Sequence, residues 1–250
     1  MPNAIILVLG LERENGAAGF VYEEVTWPHA ALQFGARLDH ATFAPAGGEL
    51  PDRTFTDVSG SVGVSVHPVG DRVSLAVSVA SAARHPALEE LYFFGPHPGN
   101  FAFEIGNPHL GSERALGVDL SLRWNTERFS GEVTYFRNRI DDFVYRNPIS
   151  EEEFDEKYGH EAHEEEEGEE HEHGEEELPF VEFVAADSLL QGVELHSDIR
   201  IAERWFADLS VDFVRGELQA SNDPLPRMPP MRVPCPTSRT SCPRWDGTSR

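Results

Sequence analysis

Period-two alternation of apolar and polar residues dominates this chain, and helical periodicity is scarce. Leu32, Phe34, Ala36 and Leu38 alternate with Gln33, Gly35, Arg37 and Asp39. Val58, Gly60, Val62, Val64 and Val66 are separated by Ser59, Ser61, Gly63 and Ser65. The same rhythm covers Val73–Val79, Leu116–Trp124, Val193–Ile199 and Trp205–Phe213. Each stretch predicts a strand with one apolar face and one small or charged face. With Ile5–Leu11 and Phe20–Trp27, the pattern predicts roughly nine strands.

These strands run to roughly 9–14 residues, the reach of a membrane-spanning β-strand rather than of a soluble one. The connections alternate in length. Short turns are predicted at Trp27–Ala30, Pro68–Asp71, Asn125–Arg128 and Ile201–Arg204. Long connections are predicted at Ala41–Arg53, Arg84–Gly111, Asn147–Pro179 and Glu217–Pro230. Short turns on one side and long loops on the other are the pattern of an outer-membrane barrel. A soluble β-sandwich would have shorter strands and connections not sorted by side. The expected fold is therefore all-β: part of an antiparallel transmembrane β-barrel with long external loops. A count of nine departs from the even numbers usual in single-chain bacterial barrels.

Charge adds one feature that the alternation does not contain. Glu151–Glu177 holds fifteen Glu, one Asp, one Lys and four His, and supplies more than half of the chain's −24. So many like charges cannot be desolvated together, so the stretch is expected to be a solvated loop. No basic stripe is present to neutralise phosphates, which excludes nucleic acid as a partner and favours a cation. Cys235 and Cys242 lie in the last sixteen residues, so no disulfide framework holds the strands. No apolar run is long enough for a transmembrane helix. Ala4–Leu11 lacks the basic start and cleavage site of a signal peptide. That leaves a cytosolic protein, or a chain without its natural N-terminus and with Met1 an internal start.

The segment from Arg84 to Ala115 is more specific. It contains Arg84-His85-Pro86, Glu90-Leu91-Tyr92, Gly95-Pro96-His97, Glu104-Ile105-Gly106-Asn107-Pro108-His109-Leu110 and Glu113. Tyr135-Phe136-Arg137-Asn138, Ile140-Asp141-Asp142-Phe143 and Gln191-Gly192-Val193-Glu194-Leu195 follow. In this combination the chain resembles the C-terminal barrel half of TonB-dependent outer-membrane receptors, over roughly Phe20 to Arg232. The Gly-Pro-His step and the acidic, His-rich loop resemble the zinc-uptake branch. The resemblance implies a bacterial outer-membrane location in contact with lipid. It also implies transport rather than catalysis, and energy from the TonB system acting on a plug.

Three departures from the family pattern stand out. The plug and the TonB-contacting segment are missing, and a full barrel of this type has about 22 strands. Residues 1–232 are therefore expected to be a partial barrel, with the acidic His-rich external loop at 147–180. After Pro224–Arg232, the closing strands should alternate and end on an aromatic residue. Val233–Arg250 instead carries repeated Pro and Cys-Pro steps without alternation. We expect an irregular tail at 233–250 produced by a frame disruption near Val233. A barrel fragment with open strand edges is expected to aggregate when expressed alone.

Imidazole with carboxylate suits borderline divalent metals, above all zinc. His160, His163, His171 and His173 lie within fourteen residues, among acids that include Glu161 and Glu172. A three-residue step places His160 and His163 on one face of a helix, and a two-residue step does so for His171 and His173 in a strand. These six residues are the candidate ligands for a captured or transported Zn2+. His97, with His109 nearby, is a further candidate at the pore mouth or simply a loop histidine. His40, His67 and His196 are expected to face the lumen. A bare Glu run would be a disordered tract, and the four histidines are what raise metal capture above that reading. Two alternatives remain: a receptor of the same fold for a siderophore or other metal chelate, and a soluble periplasmic metal-binding β protein. No nucleophile elbow, P-loop or His-Glu-x-x-His motif points to an enzyme.

Overall fold

The computed structural model describes residues 11–45, 50–97, 99–162, 178–202 and 205–225. Of the predicted strand at Ile5–Leu11 only Leu11 is described, and the tail at 233–250 lies outside the described residues. Phe20–Trp27 is the second half of one longer strand, β1 (Leu11–Trp27). It is followed by β2 (Ala30–Pro45), β3 (Arg53–Val66), a short β4 (Pro68–Asp71) and β5 (Val73–Arg84). A helical turn, α1 (Leu88–Tyr92), and two four-residue strands, β6 (Phe94–His97) and β7 (Ala102–Ile105), come next. Then follow β8 (Glu113–Asn125), β9 (Phe129–Ile149), helix α2 (Glu151–Ala162), β10 (Phe180–Ala202) and β11 (Trp205–Leu218). The expected count of nine thus becomes eleven described strands, of which β4, β6 and β7 have four residues each. The reach of β9 and β10, 21 and 23 residues, also exceeds the expectation.

The long strands form an antiparallel meander in the order β1-β2-β3-β5-β8-β9-β10. β10 continues it twice. Its lower part pairs with β11 from Ser188 to Ala202, and its upper end pairs with β7 in parallel at Phe180–Glu182. The sheet is open, with β1 and β11 each paired on one side only among the described residues. Register sorts the connections as expected. Trp27 faces Ala30, Asn125 faces Ser130 and Ala202 faces Trp205 at one end of the sheet. Pro45, Arg84–Glu113 and Ile149–Phe180 mark the other end.

One face of the sheet is a continuous apolar band. Phe34, Val62, Val79 and Val118 lie side by side on four neighbouring strands, and Tyr135, Val193 and Phe213 on three more. Many of these side chains are solvent-exposed; Val58, for example, is 61% exposed. In water such a face would be a large aggregation-prone patch, whereas against lipid it is the stable arrangement. The band has polar and aromatic edges. Toward the short turns it ends on Trp27, Trp124, Phe129 and Trp205, the aromatic girdle of a membrane interface. Toward the long connections it ends on a row of paired positions, Arg137, Gln191 and Arg215.

The opposite face carries Gln33, Arg37, Ser61, Ser78, Asp119, Glu132, Glu194 and Asp208, as a lumen wall would. Two histidine expectations change here. His40 shares its parity with Leu38, so it lies on the apolar face above the band, where its Nδ1 meets Thr56 Oγ1 at 2.9 Å. His67 sits in the short connection after β3, with its N–H donating to the His29 carbonyl. Only His196 stands on the inner wall as expected.

The packed core is at the long-connection end. Ala41, Phe43 and Phe55 of the inner face are buried with Leu91 and Tyr92 of α1 and with Leu110. A bulge at Asp142, whose φ is 56°, shifts the β9–β10 register between Ala186 and Ser188 just below this region. Asp tolerates the left-handed region, and here its N–H donates to Asp187 Oδ1.

Candidate metal-capture site at the mouth

The residues between β5 and β8 are folded back over the inner face. Arg84 starts this fold by pairing with Glu113 at 2.7 Å and with Glu90 at 2.9 Å. Glu90 also accepts the Ala87 N–H, which ties off the first turn of α1. Leu91 is fully buried, and the Tyr92 hydroxyl donates to the Pro51 carbonyl across the mouth. Gly106 has no room for a side chain, because a Cβ would lie 2.8 Å from the backbone nitrogens of Tyr92 and Phe93. Asn107 accepts the His109 N–H with its own side chain and closes the next turn. The Arg-x-Pro, Glu-Leu-Tyr and Glu-x-Gly-Asn-Pro signatures therefore build the rim. The rim also covers an ion pair that the sequence did not single out. Glu104, 3% exposed, meets Arg146 of β9 at 2.6 Å and accepts Asn100 Nδ2 at 2.8 Å.

This rim supports the start of the acidic stretch, whose first part is a helix rather than the loop expected from its charge. Ser150 and Glu153 form a capping box: the Glu153 N–H donates to Ser150 Oγ, and the Ser150 N–H to Glu153 Oε2. Three acids in the first turn suit the positive end of the helix. Phe154, 5% exposed, stacks on Phe180 with ring centres 4.0 Å apart and packs against Phe94 and Phe103. One turn later the Tyr158 hydroxyl donates to Glu182 at 3.0 Å, beside Lys157 at 2.9 Å from the same carboxylate. Two aromatic residues on one helix face thus hold α2, while Glu151, Glu152 and Glu156 stay exposed.

His160 and Glu161 belong to the last turn of α2. His163, His171, Glu172 and His173 lie outside the described residues. The helix therefore fixes where the His-rich run begins, at the long-connection end of the sheet. His97 sits nearby at the end of β6. Its ring packs edge-on against Phe93, and its Nδ1 accepts from Asn100 at 3.3 Å. That contact ties His97 to the Glu104–Arg146 network. His109 is exposed beside the rim. A separate group on the inner wall, His196, Asp198 and Asp208, brings ligand-type atoms within 4.8 Å of one another at the opposite end. Its two aspartates were not singled out in the sequence, since only strand register puts Asp208 across from Asp198.

The docking of α2 has a predicted alkaline limit. Burial, and then the bond to Glu182, push the Tyr158 phenol up to about 12. The Glu182 carboxylate also holds Lys157 above the usual ammonium value. Both shifts are upward. The stabilisation is therefore complete below about pH 10, where a free phenol begins to ionise, and is lost as pH climbs toward 12. The tyrosinate absorbance of wild type minus that of Tyr158→Phe should titrate near 12. A difference curve centred near 10 would mean that the phenol is not docked.

An open antiparallel meander has turns sorted by length, an outward apolar band with an aromatic girdle, and a rim built from specific signatures. The family model described as "TonB dependent receptor-like, beta-barrel" matches residues 10–233. The chain belongs to the TonB-dependent receptor β-barrel family. Solved relatives share this fold at low sequence identity. The structure titled "Copper transporter OprC" is 17% identical, with a TM-score of 0.66, over 85% of this chain and 30% of that one. The FrpB iron transporter from Neisseria meningitidis (F5-1 variant) is 17% identical with a TM-score of 0.56, over 82% and 26% of the two chains. The Serratia marcescens hemophore receptor HasR, solved with its hemophore HasA and heme, is 15% identical with a TM-score of 0.60, over 82% and 34%. This chain thus spans about a third of the length of these receptors. The family is one of bacterial outer-membrane transport receptors, not enzymes. No described helix is long and apolar enough to cross a membrane, and the strands of this family make that crossing.

Proposed function

We propose that this chain forms part of the wall and mouth of a TonB-dependent receptor for metal uptake, and that its acidic His-rich segment captures zinc. The observation that carries this reading is the docking of α2 on the rim at the long-connection end, which the family's topology turns away from the cell. Beyond that anchor the sequence carries His160, His163, His171 and His173 among carboxylates that concentrate cations. Glu161 and Glu172 would complete a coordination shell, with His97 at the rim as a further ligand. In the complete receptor, a plug and the TonB system would drive delivery. Zinc is one of several cargoes compatible with the fold, as the copper, iron and heme named for its relatives illustrate.

The test is zinc binding by the whole chain in detergent micelles at pH 7.5, measured by equilibrium dialysis. Replacing the four segment histidines with Ala is expected to weaken mouth binding at least tenfold. Unchanged stoichiometry and affinity would remove the capture role.

A second reading, a metal chelate as cargo, is favoured by a cavity of about 770 Å3 lined by Asn100, Tyr145, Arg146, Asn147 and Asp223. Its volume is that of a small-molecule site rather than of a bare ion. Haem or a ferric siderophore binding to the four-Ala variant, and losing affinity on Asn147→Ala, would favour this reading.

A further inference from the structure

We infer that Arg137, Gln191 and Arg215 bind the phosphate of an anionic lipid headgroup, on the outward face at the mouth-side edge of the apolar band. The register row that carries Val62, Val79 and Val118 continues onto the next three strands as Arg137, Gln191 and Arg215. One step toward the short turns, the same three strands present Tyr135, Val193 and Phe213, which are 38%, 40% and 54% exposed. Two guanidiniums thus stand directly against the surface that faces hydrocarbon. On β2 and β3 the edge of the band is formed by His40 and Thr56 instead, so the arginines are confined to one sector of the sheet.

Charge in this sector is ordered by depth. The acids near the row, Asp141, Asp187 and Glu217, all lie on its mouth side. Arg139 is held by Asp141 at 2.9 Å and lies 3.9 Å from Asp187, and Arg215 meets Glu217 at 2.7 Å. Arg137 differs. Its register partners are Val118 and Gln191, and no carboxylate of the described residues pairs with it. The Glu217 contact engages Nε and Nη2 of Arg215, which leaves Nη1 for a second acceptor. A guanidinium beside hydrocarbon is costly without a counter-ion, and long side chains turn toward the interface to find one. The anion that a bilayer offers at that depth is the lipid phosphate. Neighbouring strands lie about 4.8 Å apart, so Arg137 and Arg215 stand about 10 Å apart on either side of Gln191. Side chains of this length can meet over Gln191, whose amide adds a donor. Two guanidiniums and an amide match a phosphate, which accepts several charge-assisted hydrogen bonds at once. The site rests on the outward face that the family presents to lipid, and not on the cargo proposed above.

The experiment uses the whole chain in neutral detergent micelles, with phosphatidic acid as the probe. Lipid retained per chain is measured by native mass spectrometry. Phosphatidylcholine with the same acyl chains is the zwitterionic control, and inorganic phosphate the soluble one. Wild type should hold phosphatidic acid at least about tenfold more tightly than phosphatidylcholine. Arg137→Gln should remove most of that preference, and Arg137→Lys should keep part of it. Arg215→Gln should weaken it too; if loss of the Glu217 contact disturbs β11, Arg137→Gln decides. Arg72→Gln, between β4 and β5 at the short-turn end, should leave the preference intact. Equal retention of the two lipids, a full preference in Arg137→Gln, or an equal loss in Arg72→Gln would overturn the inference. Displacement of phosphatidic acid by millimolar inorganic phosphate would also overturn it, since the site would then be one for a free anion.

Discussion

Glu104→Ala is expected to destabilise the mouth by about 3–5 kcal/mol, because it strands a charged partner out of water. The carboxylate is 3% exposed and Arg146 only 22%, at a separation of 2.6 Å. Removing the acid leaves a guanidinium that is only 22% exposed without its partner at 2.6 Å. The Asn100 amide loses its acceptor at the same time. The damage should spread along identifiable contacts. β7 is held on β10 by only three parallel pairs, and Phe103 of β7 forms part of the bed for Phe154. Amides of β6, β7 and α2 should therefore exchange faster together, while β2–β3 amides keep their protection. Hydrogen exchange of the chain in micelles, with urea unfolding for the total, makes the check. Glu104→Gln should cost less, since it keeps an acceptor for Asn100. Pairing Glu104→Ala with Arg146→Met should recover part of the loss. An unchanged exchange pattern in Glu104→Ala would show that the pair does not hold the rim.

That ion pair marks the border of what the sequence made legible. Alternation is local, so the strands, their two faces and the sorting of turns could all be read from residues two apart. The rim could not, because its order comes from contacts between distant segments: Arg53 with Leu110, Tyr92 with Pro51, Glu104 with Arg146. The signatures in Arg84–Ala115 were visible as a family resemblance. Their physical work, in ion pairs and one glycine contact, needed coordinates. Helix α2 lay nearer the surface of the sequence. Ser150-x-x-Glu153 and the i, i+4 pair Phe154 and Tyr158 are ordinary helix signals, masked by a charge run whose repulsion favours a solvated loop. His40 shows the reverse error. Its polarity suggested the lumen, but its parity with Leu38 puts it where an outward face passes from lipid to water. For the candidate site, the end of the sheet from which α2 starts was legible, while His163, His171 and His173 lie outside the described residues.

Gly192→Val is expected to open the β10–β11 hairpin, at a cost of about 1–3 kcal/mol or more from overpacking. Gly192 is buried on the inner face between Phe136 and Phe213. A Cβ there would run into the backbone carbonyl of Phe213 on β11 and stand 2.7 Å from Cζ of Phe136 on β9. The Phe136 ring covers the glycine directly across the ladder, the arrangement that compensates a glycine in a sheet. A side chain must displace that ring and also push β11 away, and backbone yields at the expense of ladder hydrogen bonds. Gly192→Ala should show the same effect at smaller size, because even the first carbon meets the carbonyl. Gly19→Ala is the internal control: nothing lies within 4 Å of its Cβ position, so its stability should move by less than about 0.5 kcal/mol. Loss of protection at Val193 and Phe213, with β2–β3 unaffected, is the expected exchange signature. If Gly192→Val kept full protection in the hairpin, the close approach of β10 to β11 would be wrong. The register that brings Asp198 opposite Asp208 would then fall with it.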